Sequence, residues 1–112
     1  MAKYLTFFTY TSEAWARMVQ NPGDRSATVR RLADSLGGSV ECLYWMLGGY
    51  DGIVILDLPD SISAAALSVT VGSTGAFKNL ETHELLTQED LNQALSRSKD
   101  AAHAYHPPGQ QS

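Results

Sequence analysis

Several features that mark other classes of protein are scarce in this chain of 112 residues. Its one cysteine, Cys42, excludes an internal disulfide and a cysteine metal cage, and we expect it to act as a small apolar residue of a strand. Eight lysines and arginines against twelve aspartates and glutamates give a formal charge of −4, whereas nucleic-acid binding needs a basic face. No apolar run approaches the about 20 residues of a membrane span, and the first residues lack the pattern of a signal peptide. We therefore expect a cytoplasmic protein with no nucleic-acid or membrane partner.

The motifs of nucleotide-binding proteins, serine hydrolases and metalloproteins are also missing. The segment 72–75, Gly-Ser-Thr-Gly, follows a predicted helix, where the dipole repels anions, and no Lys-Ser or Lys-Thr pair comes after it. No serine lies in a Gly-x-Ser-x-Gly context. His103 and His106 could chelate a metal from one helical turn, but no carboxylate or cysteine accompanies them in order and two prolines follow. We expect neither a cofactor nor a metal.

Apolar periodicity and turn residues predict four strands and four helices. One domain of residues 3–97 would hold them, followed by a flexible tail of residues 103–112. We expect the third helix to turn Ile62, Ala65, Ala66 and Val69 toward the sheet, and the fourth to turn Leu91, Ala94, Leu95 and Ser98 inward. The predicted strands are 3–11, 39–47, 53–58 and 76–86; the helices are 12–20, 24 or 26 to 36, 61–71, and one capped near Thr87.

This order of elements is the ferredoxin-like βαββαβ arrangement of the α+β class, with an added C-terminal helix. Its antiparallel sheet carries helices on one face, so the other face should be polar in a monomer. Here the first three strands are apolar or aromatic in both phases of their alternation, and we assign Phe8 to the uncovered phase. The simplest cover is a second sheet. We therefore expect a homodimer, or a higher assembly of dimers, of the dimeric α/β barrel type.

A set of short motifs resembles the GYD domain family, small proteins of poorly known function. The tripeptide Gly49-Tyr50-Asp51 is accompanied by further matches over about residues 3–95, and only the whole set is specific. The resemblance implies the ferredoxin-like fold and the dimeric barrel, but it implies no activity. Segment 21–24 departs from the family pattern. The accompanying matches are Tyr10-Thr11, Gly37-Gly38, Tyr44, Leu58-Pro59-Asp60, 64–67, Gly72, Gly75 and Thr82.

Three residues are candidates for catalysis, each with a structural alternative. Tyr50 and Asp51 lie at a glycine-rich corner, where a phenol and a carboxylate could act as donor and base. Equally, Asp51 could bond local backbone N–H groups while Tyr50 packs over the hairpin. His83 shares a strand phase with Glu81 and could titrate inside a cavity, or simply face solvent on an edge strand.

Four further residues are candidates for lining a ligand pocket: Thr6, Tyr10, Tyr44 and Asp57. Asp57 is unusual because it is a carboxylate inside an apolar strand, where it would need a partner, a cavity or a solvent-facing edge. Two functions remain open. The chain is either a small-molecule binder or cofactor-independent enzyme, or a structural module that only assembles with itself or a protein partner.

Overall fold

The computed structural model describes residues 1–110 as one α+β domain with a C-terminal extension. In chain order it contains β1 (Ala2–Tyr10), α1 (Ser12–Gln20), α2 (Arg25–Ser35), β2 (Ser39–Trp45), β3 (Gly52–Leu58), α3 (Ser61–Gly72), β4 (Phe77–Leu85) and α4 (Gln88–Ala101), followed by a one-turn 3₁₀ helix (Ala102–Ala104). The predicted elements are all present, with ends that differ from the predicted ones by at most two residues.

Each of the four α-helices begins at a residue whose side chain caps its first turn. Thr11 and Asp24 accept hydrogen bonds from backbone N–H groups in the first turns of α1 and α2. Asp60 does the same for α3, and Thr87 forms a reciprocal capping box with Asp90 at the start of α4. The caps satisfy N–H groups that have no partner inside the helix. The alternatives for the start of α2 are thereby resolved in favour of Asp24.

The four strands form one antiparallel sheet in the order β2-β3-β1-β4. This is the ferredoxin-like topology, and the predicted fold is confirmed. β1 and β3 are central, while β2 and β4 are the edges. The pairing of β2 with β3 shifts register at Glu41, and the pairing of β1 with β4 shifts between Thr9 and Tyr10.

One face of the sheet forms the core with the first three helices. Alternate residues of β1 and β3 point to it, including Tyr4, Val54 and Leu56, and they pack with Ala33 of α2 and Leu67 of α3. Phe8 belongs to the same phase and is buried beside Tyr10 and Ala14 of α1. Our assignment of Phe8 to the uncovered phase is therefore wrong. Strand β1 is aromatic on both faces, so its sequence pattern did not distinguish them.

The opposite face, which we call the open face, carries the other phase of the strands. Its central residues are Leu5 and Phe7 of β1 and Ile53 and Ile55 of β3, all partly exposed. None of the first three helices packs on it.

Helix α3 turns a different face inward from the one predicted. Ala64 and Leu67 are buried, whereas Ile62 and Val69 are 77% and 70% exposed. Alanine, valine and leucine side chains lie on all sides of this helix, so its sequence has almost no amphipathic direction. The prediction of the inward face was wrong for that reason, and an apolar strip is left on the outside.

Helix α4 extends away from the rest of the domain. It buries no residue, and Leu91 and Leu95 remain exposed, so the predicted inward packing against the protomer is wrong. The helix side of the sheet is already covered by α1, α2 and α3. The chain has a radius of gyration of 18.3 Å, compared with about 13 Å for a compact domain of 100 residues. The 3₁₀ turn with His103 follows, and residues 111 and 112 of the predicted tail lie outside the described part.

Among residues 1–110, no helix has the length and apolar character needed to cross a membrane.

Candidate functional site

The candidate residues separate onto the two faces of the sheet. Thr6 and Tyr10 are buried on the helix side, where they line a cavity between the sheet and α2 and α3. The open face carries Tyr44, Asp57 and His83, in register with Ile53, Lys3 and Leu5, and also receives the ring of Tyr50. Asp51 lies at the end of the sheet and turns toward the start of α1. The seven candidates thus belong to separate sites rather than to one pocket.

A hydrogen-bonded group of three polar residues lies on the open face, and we call it the Tyr50 cluster: Tyr50, Glu81 and His83. The Tyr50 hydroxyl donates to Glu81 Oε1 at 2.8 Å, and His83 Nε2 lies 3.6 Å from Glu81 Oε2. The hydrogen bond to Glu81 raises the pKa of the Tyr50 phenol above its usual value. Phe7 packs against both rings, with centroid distances of 4.8 Å to Tyr50 and 6.2 Å to His83. The cluster combines an anionic acceptor with two groups that can donate.

Asp51 joins three parts of the fold. One of its oxygens, Oδ2, accepts from the backbone N–H of Tyr10 at 2.9 Å and from the indole N–H of Trp15 at 3.2 Å. Its own backbone N–H donates to the carbonyl of Phe8, and its carbonyl accepts from Met46. The carboxylate therefore bonds to β1 and α1, not to local backbone groups as the turn interpretation supposed.

Asp57 forms an ion pair at the other end of the open face. Its Oδ1 lies 3.0 Å from Lys3 Nζ, and Glu41 Oε1 lies 3.4 Å from the same ammonium. The hydrogen bond to Asp57 is the main cause of a raised pKa at Lys3. Asp57 thus has a cationic partner from the neighbouring strand. Both are charges in otherwise apolar strands, and antiparallel pairing placed them directly opposite each other.

On the helix side, Thr6 begins a row of hydroxyl groups. Thr6 Oγ1 lies 2.9 Å from Thr82 Oγ1, which lies 3.1 Å from Ser68 Oγ on α3. Tyr10 stacks on Phe77 with a centroid distance of 5.1 Å. The row of hydroxyl groups joins the sheet to α3. Thr6, Tyr10 and Phe77 also line the apolar cavity.

A family model described as the GYD domain matches residues 4–95. The chain belongs to the GYD domain family. A solved structure described as "crystal structure of FFRP-DM1" is similar to this GYD domain with a TM-score of 0.48 and 15% identity, covering 77% of this chain and 100% of that one. A search of curated proteins found no match.

The residues of the tripeptide that gives the GYD domain its name have different positions and partners. Tyr50 lies over the open face, and Asp51 holds the hairpin to β1 and α1. Gly49 offers its carbonyl to the hydroxyl of Thr9 at 3.3 Å. The motif therefore connects the β2–β3 hairpin to the central strand β1. The aromatic side chain of Tyr50 remains on the open face.

Two side-chain partners in this GYD domain were not predicted from the sequence. Trp15 lies 36 positions before Asp51, and no periodicity links them. Lys3 could have been found, because it and Asp57 are charges facing each other on strands that the topology pairs.

Cys42, partly buried and free, is on the open face opposite Ile55. Over residues 1–110, no three histidines, cysteines or acidic residues are grouped closely enough to hold a metal.

We expect Asp51→Ala to lower the free energy of unfolding of the GYD domain by about 1–3 kcal/mol, because the buried N–H of Tyr10 would lose its acceptor. Asp51→Asn should cost clearly less, since both bonds use one oxygen and an amide oxygen can replace it. Urea denaturation measures both changes. Trp15→Phe is the control, because it removes the indole N–H and keeps an aromatic ring next to Tyr10. An Asn variant as unstable as the Ala variant would show that the negative charge itself is required.

Proposed function

We propose that the protein acts as a homodimer in which two open faces pack against each other. The observation that carries this proposal is the apolar centre of that face, formed by Leu5, Phe7, Ile53 and Ile55 and partly exposed in the protomer. An antiparallel sheet can leave one face in water when that face is polar, but the centre of this face is apolar. Face-to-face packing of two sheets would remove these side chains from water.

The distribution of polar groups supports a second copy as the occupant. The ion pair of Lys3 and Asp57 lies at the end of the sheet where β1 begins, and the charged members of the Tyr50 cluster are on the edge strand β4. An apolar centre with a polar rim is the common anatomy of protein interfaces. A two-fold axis would bring each face onto its own copy, so apolar centre would meet apolar centre.

Helix α4 is consistent with the same assembly. Its exposed Leu91 and Leu95 form an apolar stripe that the protomer leaves unpacked, and the exposed strip of α3 with Ile62 and Val69 offers an apolar surface of similar kind. We infer that α4 reaches beyond its own domain to pack on the partner copy. Burial of the stripe would then add to the interface formed by the sheets.

A second candidate function is small-molecule binding, or cofactor-independent catalysis, between the paired sheets. The Tyr50 cluster favours it, because dimerisation would move a phenol, a carboxylate and an imidazole from solvent to an interface of low dielectric. Burial of such groups costs free energy unless they bond to each other, to water or to a ligand. The structural alternative is a dry interface in which the cluster serves only to fix the register of the two copies.

Light scattering on the purified protein tests the dimer. We expect twice the protomer mass of 12.2 kDa at micromolar concentration. Phe7→Asp should yield folded monomers, because the dimer would bury an unpaired carboxylate at a cost of several kcal/mol.

The matched control is Val19→Asp, which makes the same kind of change on α1 at a position that is 77% exposed and outside the open face. It should remain dimeric. A monomeric wild-type protein, or a dimer that survives Phe7→Asp unchanged, would refute the proposed interface.

A further inference from the structure

An apolar cavity of about 70 Å³ lies between the sheet and helices α2 and α3. Its wall includes Phe8, Val29, Leu32, Leu67, Val71 and Leu80. Packed protein interiors contain few voids larger than one water molecule. Enclosed apolar cavities in proteins stay dry and accept small apolar molecules, and this cavity has a lining of the same kind. The space fits a short branched or straight hydrocarbon group, and it is too small for a large ring system.

One basic residue lies where this cavity meets the surface. Arg25, the first residue of α2, lines the cavity and also two open grooves beside it. The larger groove has Arg17 of α1 on its wall and no acidic residue. Within residues 1–110, neither arginine forms an ion pair with a carboxylate.

The acidic residue next to Arg25 in the sequence already has hydrogen-bond partners of its own. Asp24 lines the smaller groove, but its carboxylate accepts hydrogen bonds from the backbone N–H of Ala27 and the hydroxyl of Ser26 as the cap of α2. It therefore leaves Arg25 available to an outside anion. In a chain of net charge −4, this groove is a local region of positive charge next to an apolar cavity.

We propose that this cavity binds a small carboxylic acid with a short apolar tail. The tail would occupy the space between Val29, Leu67 and Val71, and the carboxylate would accept hydrogen bonds from Arg25. Guanidinium and carboxylate groups match in geometry and can form two parallel bonds, which favours a planar carboxylate at this position. The site lies within one protomer, so it does not depend on the homodimer proposed above.

The test is an NMR titration of the ¹⁵N-labelled protein with 3-methylbutanoate at neutral pH, and with the neutral 3-methylbutanamide in parallel. The two probes have the same tail and nearly the same shape, and they differ in charge. We expect saturable shifts for the carboxylate at residues around the cavity, and at least about tenfold weaker binding of the amide, since a hydrogen bond between charged partners is lost. Tryptophan fluorescence gives a second readout, because Trp45 lines the cavity.

Two substitutions on α2 separate charge at the mouth from charge elsewhere. Arg25→Gln should weaken carboxylate binding at least about tenfold and leave amide binding unchanged. Arg30→Gln, an exposed position that does not line the cavity, should bind both probes as the wild type does. Val71→Leu narrows the cavity and should weaken the binding of both probes. Unchanged backbone NMR signals away from the cavity would show that this variant is folded.

Four outcomes would overturn the proposal: equal affinity for acid and amide, full carboxylate affinity in Arg25→Gln, shifts that map to the open face, or no saturable shift for the carboxylate.

Discussion

Phe8→Asp is expected to abolish folding of the protomer at room temperature. The Phe8 ring is 6% exposed and packs edge-on against Tyr10 and Phe77, with centroid distances of 5.3 and 5.8 Å. Truncating a buried phenylalanine costs about 3–5 kcal/mol, and a buried carboxylate without a partner adds several more. Together these losses approach the about 5–15 kcal/mol that holds a typical domain folded. Circular dichroism and a thermal melt should show an unfolded chain.

Phe7→Asp is the matched control, because it places the same side chain one residue earlier on the opposite face. Phe7 is only partly buried in the protomer, so this variant should keep the native spectrum and a cooperative melt. The pair of variants separates stability of the protomer from stability of the assembly. If Phe8→Asp stays folded while Phe7→Asp unfolds, the two faces of β1 have been assigned in reverse.

Gly52→Ala should lower the free energy of unfolding by about 1–3 kcal/mol, the usual effect of forcing an extra group into a packed core. Gly52 lies opposite Phe8 in the register of β3 and β1, and a Cβ atom there would come within 2.1 Å of the end of the Phe8 ring. The ring occupies the space where a side chain at position 52 would lie. Urea denaturation measures the loss.

The neighbouring Gly49 provides the control for this substitution. A Cβ atom added at Gly49 would meet no atom within 4 Å, and its φ is ordinary, so Gly49→Ala should change stability by no more than about 0.5 kcal/mol. In a Phe8→Leu background, which removes the ring atoms, Gly52→Ala should cost less than it does alone. Equal costs in both backgrounds would show that the ring is not the obstacle.

The local parts of the fold were predictable because their causes are local. Thr11, Asp24 and Asp60 cap helices by accepting from the backbone N–H three residues ahead, and such patterns can be recognised along the chain. The order of strands and helices then left the ferredoxin-like sheet as the natural topology.

The assignment of faces was harder, because it depends on contrast between apolar and polar positions. Strand β1 is apolar and aromatic in both phases and helix α3 is apolar almost all round, so Phe8 and Ile62 were placed on the wrong sides. Both errors have one physical origin. Both elements are apolar on their exposed side as well as on their buried side, so composition does not tell the two sides apart.

The candidate site was only partly predictable for a different reason. The shared phase of Glu81 and His83 follows from strand periodicity, and their proximity was foreseen. The contact of Asp51 with Trp15 arises from how α1 crosses the end of the sheet, which no short-range pattern encodes. The role proposed for Arg25 depends on a cavity between elements that are far apart in sequence.

The projecting helix α4 bears on how the structure of the C-terminal segment depends on protein concentration. A helix of 14 residues that buries none of its side chains is near the limit at which isolated helices persist in water, since helices below about 12–15 residues are marginal even with good sequences. Its capping box and the Gln88–Asn92 pair give it local support, but they do not replace tertiary packing. If its apolar stripe docks on a second copy, folding of this segment and association become one coupled equilibrium. The helical content of the C-terminal segment would then rise with protein concentration, and dilution would release it as an unstructured extension on a folded core.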